Sequence, residues 1–266
     1  MPELPEVETT RKLIAPLLEG RTLLGFEYDP SYRYTDLENV VGLTVSRLSR
    51  RGKYILVGFE DSPLELIVHL GMTGGFRATS DKHTRVTVHT DSGDVFFTDS
   101  RKFGKWRVVR AGEYAEMPTL SAMGPEPLGE NFLLEDFVNA ASKAGTVKPW
   151  LLSQKPVAGL GNIYADESLH LSGIHPEDRK LSRAQAERLF TAIKQVLTQA
   201  VNAGGSTLSD GSYQQPDGNP GYFQLEHRAY GREDMPCPTC GEPIQKFWLG
   251  GRGTHVCVNC QPLERG

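Results

Sequence analysis

No stretch of this 266-residue chain approaches the roughly 18 consecutive apolar residues that a membrane helix needs. The best runs, Tyr54-Ile-Leu-Val-Gly-Phe59 and Leu64-Glu-Leu-Ile-Val-His-Leu70, are strand-sized, so a membrane span is excluded. Cysteine is scarce: there are four, all within the last 30 residues, and the rest of the chain must be held by its own core. The beginning lacks a basic segment and carries Glu3, Glu6 and Glu8 instead, so a secretory signal is not expected. Nor is there a basic excess: 29 Lys and Arg face 33 Asp and Glu, a net charge of −4 that weakly disfavours a nucleic-acid partner. Internal repeats are absent.

What is present is unevenly spread. Residues 45–60 hold Arg47, Arg50, Arg51 and Lys53 against Glu60, and residues 99–110 hold Arg101, Lys102, Lys105, Arg107 and Arg110 against Asp99. A basic face on an acidic protein stays open. Pro5 suits a first helical position, with Glu6 and Glu8 near the positive end of the helix dipole. Leu13, Ile14, Leu17 and Leu18 continue at helical spacing, and Pro16 predicts a kink or a ragged last turn before Gly20. Short β-branched and aromatic runs at 43–48, 53–59, 64–70, 85–90, 94–98 and 105–110 then read as an antiparallel sandwich or barrel. Residues 111–130, rich in Pro and Gly, read as a linker. Helical periodicity returns in Phe132–Lys143, Pro149–Gln154, Asn162–Leu171 and Ser182–Ala203. Residues 204–224 have no period, and a segment of that length without one is a functional loop or disordered.

Cys237, Cys240, Cys257 and Cys260 spell C-x2-C-x16-C-x2-C. Each pair can chelate from one tight turn, and four thiolates complete a tetrahedral zinc site that holds a module too small for a core of its own. The alternative, two disulfides, lacks an export signal to support it. Between the pairs, Leu249-Gly-Gly-Arg252-Gly-Thr254 suggests a hairpin tip that offers a guanidinium outward. A phosphate contact and a solvated turn residue are equally compatible with it.

The chain opens Met-Pro-Glu-Leu-Pro-Glu-Val-Glu. Methionine before a small residue such as proline is normally removed, which leaves Pro2 with a free secondary amine. An α-amino group titrates near 7.7–8.0, so roughly a quarter to a third is neutral near pH 7.4, against about one lysine in a thousand. Such an amine is a nucleophile for an electrophilic carbon and forms a charged iminium, with Glu3 beside it to exchange protons. On these residues alone, a helix leader with start acids is the plainer reading.

The opening MPELPEVETT and the cysteine module together resemble the formamidopyrimidine-DNA glycosylase family. The resemblance extends through Arg50-Arg-Gly-Lys-Tyr54, His69-Leu-Gly-Met-Thr73, Lys82-His-Thr-Arg-Val86, Asp99-Ser-Arg-Lys-Phe-Gly104, Gly159-Leu-Gly-Asn-Ile-Tyr164 and Pro220-Gly-Tyr-Phe223, in family order across essentially the whole chain. It implies an α+β fold in several domains. A β-sandwich with a leading helix occupies 1–112, and a linker 113–130. A helical DNA-binding domain with a helix-two-turns-helix motif spans 131–228 and includes a lesion-capping loop at 204–224. A zinc finger fills 229–266. It also implies a bifunctional enzyme of base excision repair that removes 8-oxoguanine and formamidopyrimidines from duplex DNA and then cleaves the strand.

Carried over by motif, Pro2 attacks C1′ and forms the Schiff base, Glu3 donates a proton near the sugar, and Lys53 contacts phosphate and assists elimination. Arg252 grips phosphate at the finger tip and assists the second elimination. A flipped base leaves a hole in the stack, which Met72, Arg101 and Phe103 would fill. His83, Lys143 and Asn162 would be further DNA contacts. Cys237, Cys240, Cys257 and Cys260 would hold one structural Zn2+, with no small-molecule cofactor. A monomer acting on damaged double-stranded DNA in a bacterial cytoplasm is expected. Ser100 stands where the family often has Pro, and Val256 where an aromatic commonly precedes the third cysteine. Two rival readings remain: an endonuclease VIII-type glycosylase for oxidised pyrimidines, and a non-catalytic zinc-finger DNA-binding protein.

Overall fold

The computed structural model describes residues 1–28, 33–208 and 213–264. Within the expected loop, residues 209–212 lie outside the described residues, as do residues 265–266 of the expected finger. The chain divides into two compact units, one of 1–121 and 203–224, the other of 122–202 and 225–264.

The first unit begins with α1 (Leu4–Leu18), which carries Pro16 in its interior instead of ending there. Pro16 and Lys12, the residue whose carbonyl loses its N–H donor, are both exposed, so the missing bond opens towards water. Nine strands follow: β1 (Leu23–Tyr28), β2 (Tyr34–Thr35), β3 (Val45–Arg51), β4 (Tyr54–Phe59), β5 (Leu64–His69), β6 (Gly75–Arg77), β7 (Thr84–Thr90), β8 (Gly93–Thr98) and β9 (Lys105–Arg110). They form two sheets ordered β1-β7-β8-β6 and β2-β9-β5-β4-β3. Pairing is antiparallel except between β2 and β9, which run parallel. The six strands expected from β-branched and aromatic runs are present within a few residues of their predicted bounds. The short β2 and β6 escape detection because they have too few residues to show a period, and β1 because half its side chains stay partly exposed.

The two sheets share one core. Ile55, Val57, Phe59, Leu66, Val68, Trp106 and Val108 face Phe76, Val86, Val88, Val95 and Phe97, at every second position along each strand. Val7, Ile14, Ala15 and Leu18 of α1 join the same cluster. At its centre the rings of Phe76, Phe97 and Trp106 touch pairwise, with centroids 5.2–5.7 Å apart.

The second unit holds α3 (Leu134–Ala141), α4 (Val147–Leu152), α5 (Asn162–Ser172), α6 (Arg183–Asn202) and the hairpin β10 (Gln245–Leu249) and β11 (Arg252–Val256). A short α2 (Pro118–Ser121) lies within the stretch expected to be linker. Along α6 the buried residues Ala186, Leu189, Ile193, Val196, Leu197 and Ala200 follow the helical repeat. By contrast α5 is buried on nearly every side, and its polar residues Asp166, Glu167, Ser168 and His170 are inside. Glu167 anchors the start of the last segment by accepting the backbone N–H groups of Arg228, Ala229 and Tyr230 at 2.8–2.9 Å.

Removing the Phe97 ring leaves a void between Phe76 and Trp106. Phe97→Ala is expected to lower stability by about 3–5 kcal/mol, read as a fall in the urea midpoint of the first unit with its slope unchanged.

Candidate active site

Glu3 is the N-cap of α1, and Glu3 and Glu6 form a reciprocal capping box in which Glu3 N donates to Glu6 Oε2 at 2.8 Å. Pro2 and Glu3 are both buried just ahead of the helix. The same Glu6 carboxylate reaches further: its Oε1 accepts from Ser206 N at 2.8 Å. The return segment 203–224 is laced to itself by Tyr222 N to Ala203 O, Phe223 N to Gly205 O and Gly221 N to the Thr207 hydroxyl. Gly205 and Gly221 are required by close approach. A Cβ on Gly205 would lie 2.8 Å from Glu6 Oε1, and one on Gly221 would lie 2.3 Å from Gly205 O. The segment expected to cap a lesion is thus tied by Glu6 to the backbone N–H that follows Pro2, and the Tyr213 hydroxyl also reaches Glu6 O at 3.5 Å.

Lys53 sits on the tight turn between β3 and β4, where Gly52 takes φ +55° and Arg51 pairs with Tyr54. This hairpin is fixed to α1. Arg50 Nε donates to Glu8 Oε2 at 3.2 Å, and its guanidinium also reaches Gly52 O at 3.1 Å. Arg11 closes the cluster, bonding Glu8 at 2.7 Å and Leu48 O at 3.2 Å. Burial pushes the Glu8 carboxyl up, but Arg11 and Arg50 more than offset it and hold it below the usual carboxylate value. Two arginines and one glutamate therefore fix the lysine-bearing turn to the helix that starts at Pro2.

His69, quoted above only as part of a motif, belongs to this region. It pairs with Tyr54 across β4 and β5, the two rings 4.8 Å apart. Burial, then Lys53 and Lys105, push its pKa down to about 4, against an opposing pull from Asp99. Its Nδ1 accepts from Gly71 N at 3.2 Å, which places the proton of the neutral ring on Nε2 as a donor. The signal available in the sequence was the histidine at the end of an apolar strand, directly before the Gly71-Met72 turn.

Met72, Arg101 and Phe103 come from two turns stitched together by the fully buried Asp99. Asp99 Oδ1 accepts from the Thr73 hydroxyl at 2.5 Å and from Arg101 N at 3.2 Å, and Oδ2 accepts from Gly104 N at 2.7 Å. Gly71, at φ +73°, lets the turns approach, since a Cβ there would lie 2.5 Å from Gly104 N. Met72 is half-buried and Phe103 is 39 % exposed, so neither is ordinary core. The Arg101 guanidinium lies over the Phe103 ring, 5.1 Å from its centroid. His83 joins the group through its carbonyl, which accepts from Asp99 N at 2.9 Å. Ser100, where a proline was the family expectation, sits in a turn already fixed by Asp99.

In the second unit, Gly250 and Gly251 take φ +56° and +75° and close the hairpin so that Arg252 opens β11, exposed. Lys143 is exposed after α3. Asn162 opens α5 after a glycine turn that Gln154 braces, accepting from Gly159 N at 2.9 Å and donating to Leu160 O at 2.6 Å. The Asn162 amide is not directed only outward: its Nδ2 donates to Gly253 O at 2.9 Å.

The Sγ atoms of Cys237, Cys240, Cys257 and Cys260 all lie within 4.8 Å of one another, with 3.8 Å between Cys237 and Cys260 and 3.4 Å between Cys240 and Cys257. Four thiolates about 2.3 Å from a central zinc stand about 3.8 Å apart, so the set fits one tetrahedral ion and no disulfide. Thr239 N and Cys260 N donate to thiolates at 3.4 and 3.5 Å, and His170 Nε2 lies 3.3 Å from Cys237 Sγ, as outer partners of a metal site do. The chain carries one structural zinc.

Two outcomes are expected. His69 stays neutral through pH 6, and its imidazole shifts move only near pH 4. Because its folded pKa lies below the unfolded value, the unfolded chain binds the extra proton. Its contribution to stability is present above about pH 6.5 and is lost as pH falls towards 4. His69→Gln flattens that limb of the stability profile. Stripping zinc with a chelator unfolds residues 237–260, seen as loss of amide protection there, and leaves the sandwich amides protected.

Three family models cover most of the chain: the formamidopyrimidine-DNA glycosylase N-terminal domain at residues 1–106, the formamidopyrimidine-DNA glycosylase H2TH domain at 123–212, and a zinc finger found in FPG and IleRS at 236–263. The chain is 53% identical to a formamidopyrimidine-DNA glycosylase of Deinococcus radiodurans, over 99% of this chain and 98% of the relative. The crystal structure of a MutM (FPG) protein from Thermus thermophilus superposes with a TM-score of 0.95 at 45% identity, covering 99% of this chain and all of that one. A Lactococcus lactis FPG mutant solved with Fapy-dG-containing DNA gives 0.90 at 35% identity, over 98% of this chain and all of that one. Identity at this level over whole chains, together with the family models that match, shows that the protein belongs to the formamidopyrimidine-DNA glycosylase family.

Proposed function

We propose that the chain is a bifunctional DNA glycosylase and abasic-site lyase that excises 8-oxoguanine and formamidopyrimidines from duplex DNA. One observation carries the reading: the Glu8–Arg50 pair and the Glu3–Glu6 capping box fix the start of α1 and the Lys53 turn in a single braced unit. The Lactococcus relative's complex with Fapy-dG-containing DNA supports the substrate class.

Once Met1 is removed, the Pro2 secondary amine attacks C1′ of the damaged nucleotide. The C1′–N9 bond breaks and the purine leaves with a proton, giving a ring-closed aminal; the C1′–O4′ bond then breaks, O4′ takes a proton, and a protein-bound iminium remains. Glu3, held beside Pro2 as the helix cap, serves the sugar as proton donor during ring opening. Loss of a C2′ proton expels the 3′ phosphate. A second elimination expels the 5′ phosphate, and water then releases Pro2. The product is a one-nucleotide gap with phosphate at both ends. In this reading Lys53 and the Nε2–H of His69 hold phosphate during these steps, and Arg252 grips phosphate from the finger. Lys143 and His83 serve as outer DNA contacts, and the Asn162 position adds the open N-terminus of α5.

Met72 fills the space vacated by the flipped base, with Phe103 wedged beside it, while Arg101 hydrogen-bonds the widowed cytosine. The segment 204–224 covers the extruded purine from its anchor on Glu6. The bacterial source of the relatives supports assigning the protein to the bacterial cytoplasm.

Borohydride is expected to trap a covalent adduct between mature protein and a duplex carrying 8-oxoguanine opposite cytosine. Pro2→Gly is expected to abolish most strand cleavage, and Lys53→Ala to slow it by about 10²-fold or more. An absent adduct would favour a non-catalytic DNA-binding protein, and faster excision of thymine glycol would favour the pyrimidine-directed type.

A further inference from the structure

Arg252 stands on a turn of two glycines, the most pliable backbone available, yet a phosphate grip needs a fixed guanidinium. The three residues after it are held from behind with unusual completeness. Gly253 O accepts from Lys148 Nζ at 3.1 Å and from Asn162 Nδ2 at 2.9 Å. The Thr254 hydroxyl accepts from Lys148 Nζ at 2.9 Å. Asp166 Oδ1 lies 2.6 Å from Lys148 Nζ, and its Oδ2 accepts from His255 N at 3.0 Å and faces His255 Nδ1 at 3.1 Å. Lys148 and Asp166 are both wholly inaccessible to solvent. From Gly253 to His255, β11 is thus pinned by α4 and α5, and at Cys257 by the metal. Arg252 is the residue next to this clamp.

A buried ion pair is a poor device for stability alone, because its desolvation roughly offsets its attraction and apolar replacements often do as well. What it supplies is direction: each atom of the pair has one place to go. We infer that Asp166, acting through Lys148 and His255, is a positioning residue that sets the Arg252 guanidinium for phosphate. This rests on the phosphate role assigned to Arg252 above.

The test uses the zinc-loaded enzyme and a duplex carrying an abasic-site analogue, with affinity measured against salt and zinc content measured in every variant. Arg252→Ala should lower the slope of log affinity against log salt by about 0.9, the value of one phosphate contact. Asp166→Asn should lower the slope as Arg252→Ala does, and the double variant should be no weaker than Arg252→Ala alone. Asp166→Asn removes a negative charge, which by itself would tighten binding to DNA, so a loss cannot come from net charge. Since Asp166→Asn strands a buried lysine, the paired change Lys148→Met with Asp166→Leu, which keeps net charge and similar volume, provides a second variant for the same measurement. Amide exchange at His255 should accelerate in both while zinc stays bound. An unchanged slope in Arg252→Ala overturns the phosphate reading and this inference with it. A reduced slope in Arg252→Ala, with a full slope or multiplying losses in the zinc-bound Asp166 variants, overturns the positioning role alone.

Discussion

A buried carboxylate must find donors or be lost to the fold, and this structure uses that requirement to hold its exposed turns in place. Glu6 gathers Glu3 N and Ser206 N, Asp99 gathers Arg101 N, Gly104 N and the Thr73 hydroxyl, and Glu167 gathers three successive N–H groups at 228–230. Each acid joins segments far apart in sequence, and each satisfies backbone donors that no helix or sheet would otherwise pair. A loop held this way can carry an exposed cation or aromatic ring on its tip without a core beneath it. The carboxylates supply rigidity where hydrophobic packing cannot reach.

The same fact resolves the charge of the chain. Among the described residues, Glu3, Glu6, Glu65, Asp99, Asp166, Glu167 and Asp178 are buried, against Lys148 as the single buried lysine or arginine. The net charge of −4 therefore overstates what a nucleic acid meets, because much of the negative charge is engaged internally with N–H dipoles or with Lys148. Lys53, Arg101, Lys102 and Arg252 stay on turns and at a strand start. A global sum argued weakly against a polyanionic partner, whereas the local clusters at 45–60 and 99–110 carried the better information.

Legibility followed the range of the interaction. Strands β4, β5, β7, β8 and β9 could be read because burial in a sheet core concentrates β-branched and aromatic residues in short runs between turn residues. The zinc site could be read because chelation from one knuckle forces a short spacing, and the Arg252 tip because two glycines must precede it. The carboxylate clasps left no such trace. Glu6 looked like a helix-start acid, and its bond to Ser206 spans 200 positions. Asp166 of α5 and Lys148 of α4 carry no signal of their pairing, since nothing in the spacing of α5 says that the helix is buried all round. The grouping of 203–224 with the first unit was hidden for the same reason, because its anchors, Glu6 to Ser206 N, the Tyr213 hydroxyl to Glu6 O and Arg77 to Gln214 O, are single contacts between distant residues and not a pattern.

The three cations proposed to meet DNA share one design. Lys53 follows Gly52, Arg252 follows Gly250 and Gly251, and Arg101 precedes Lys102, which takes φ +57°. A positive-φ residue reverses the chain within a step and leaves its neighbour at the apex, clear of the sheet. Such a turn is either pliable, if glycine supplies it, or strained, if lysine does. Either way its conformation must be imposed from outside. Glu8 with Arg50 imposes it at the first turn, Asp99 at the one carrying Arg101, and the Lys148–Asp166 pair stands behind the third. Reach and order, which a tight turn sets against each other, are thus assigned to different residues: glycine or left-handed backbone for reach, a buried or half-buried acid for order.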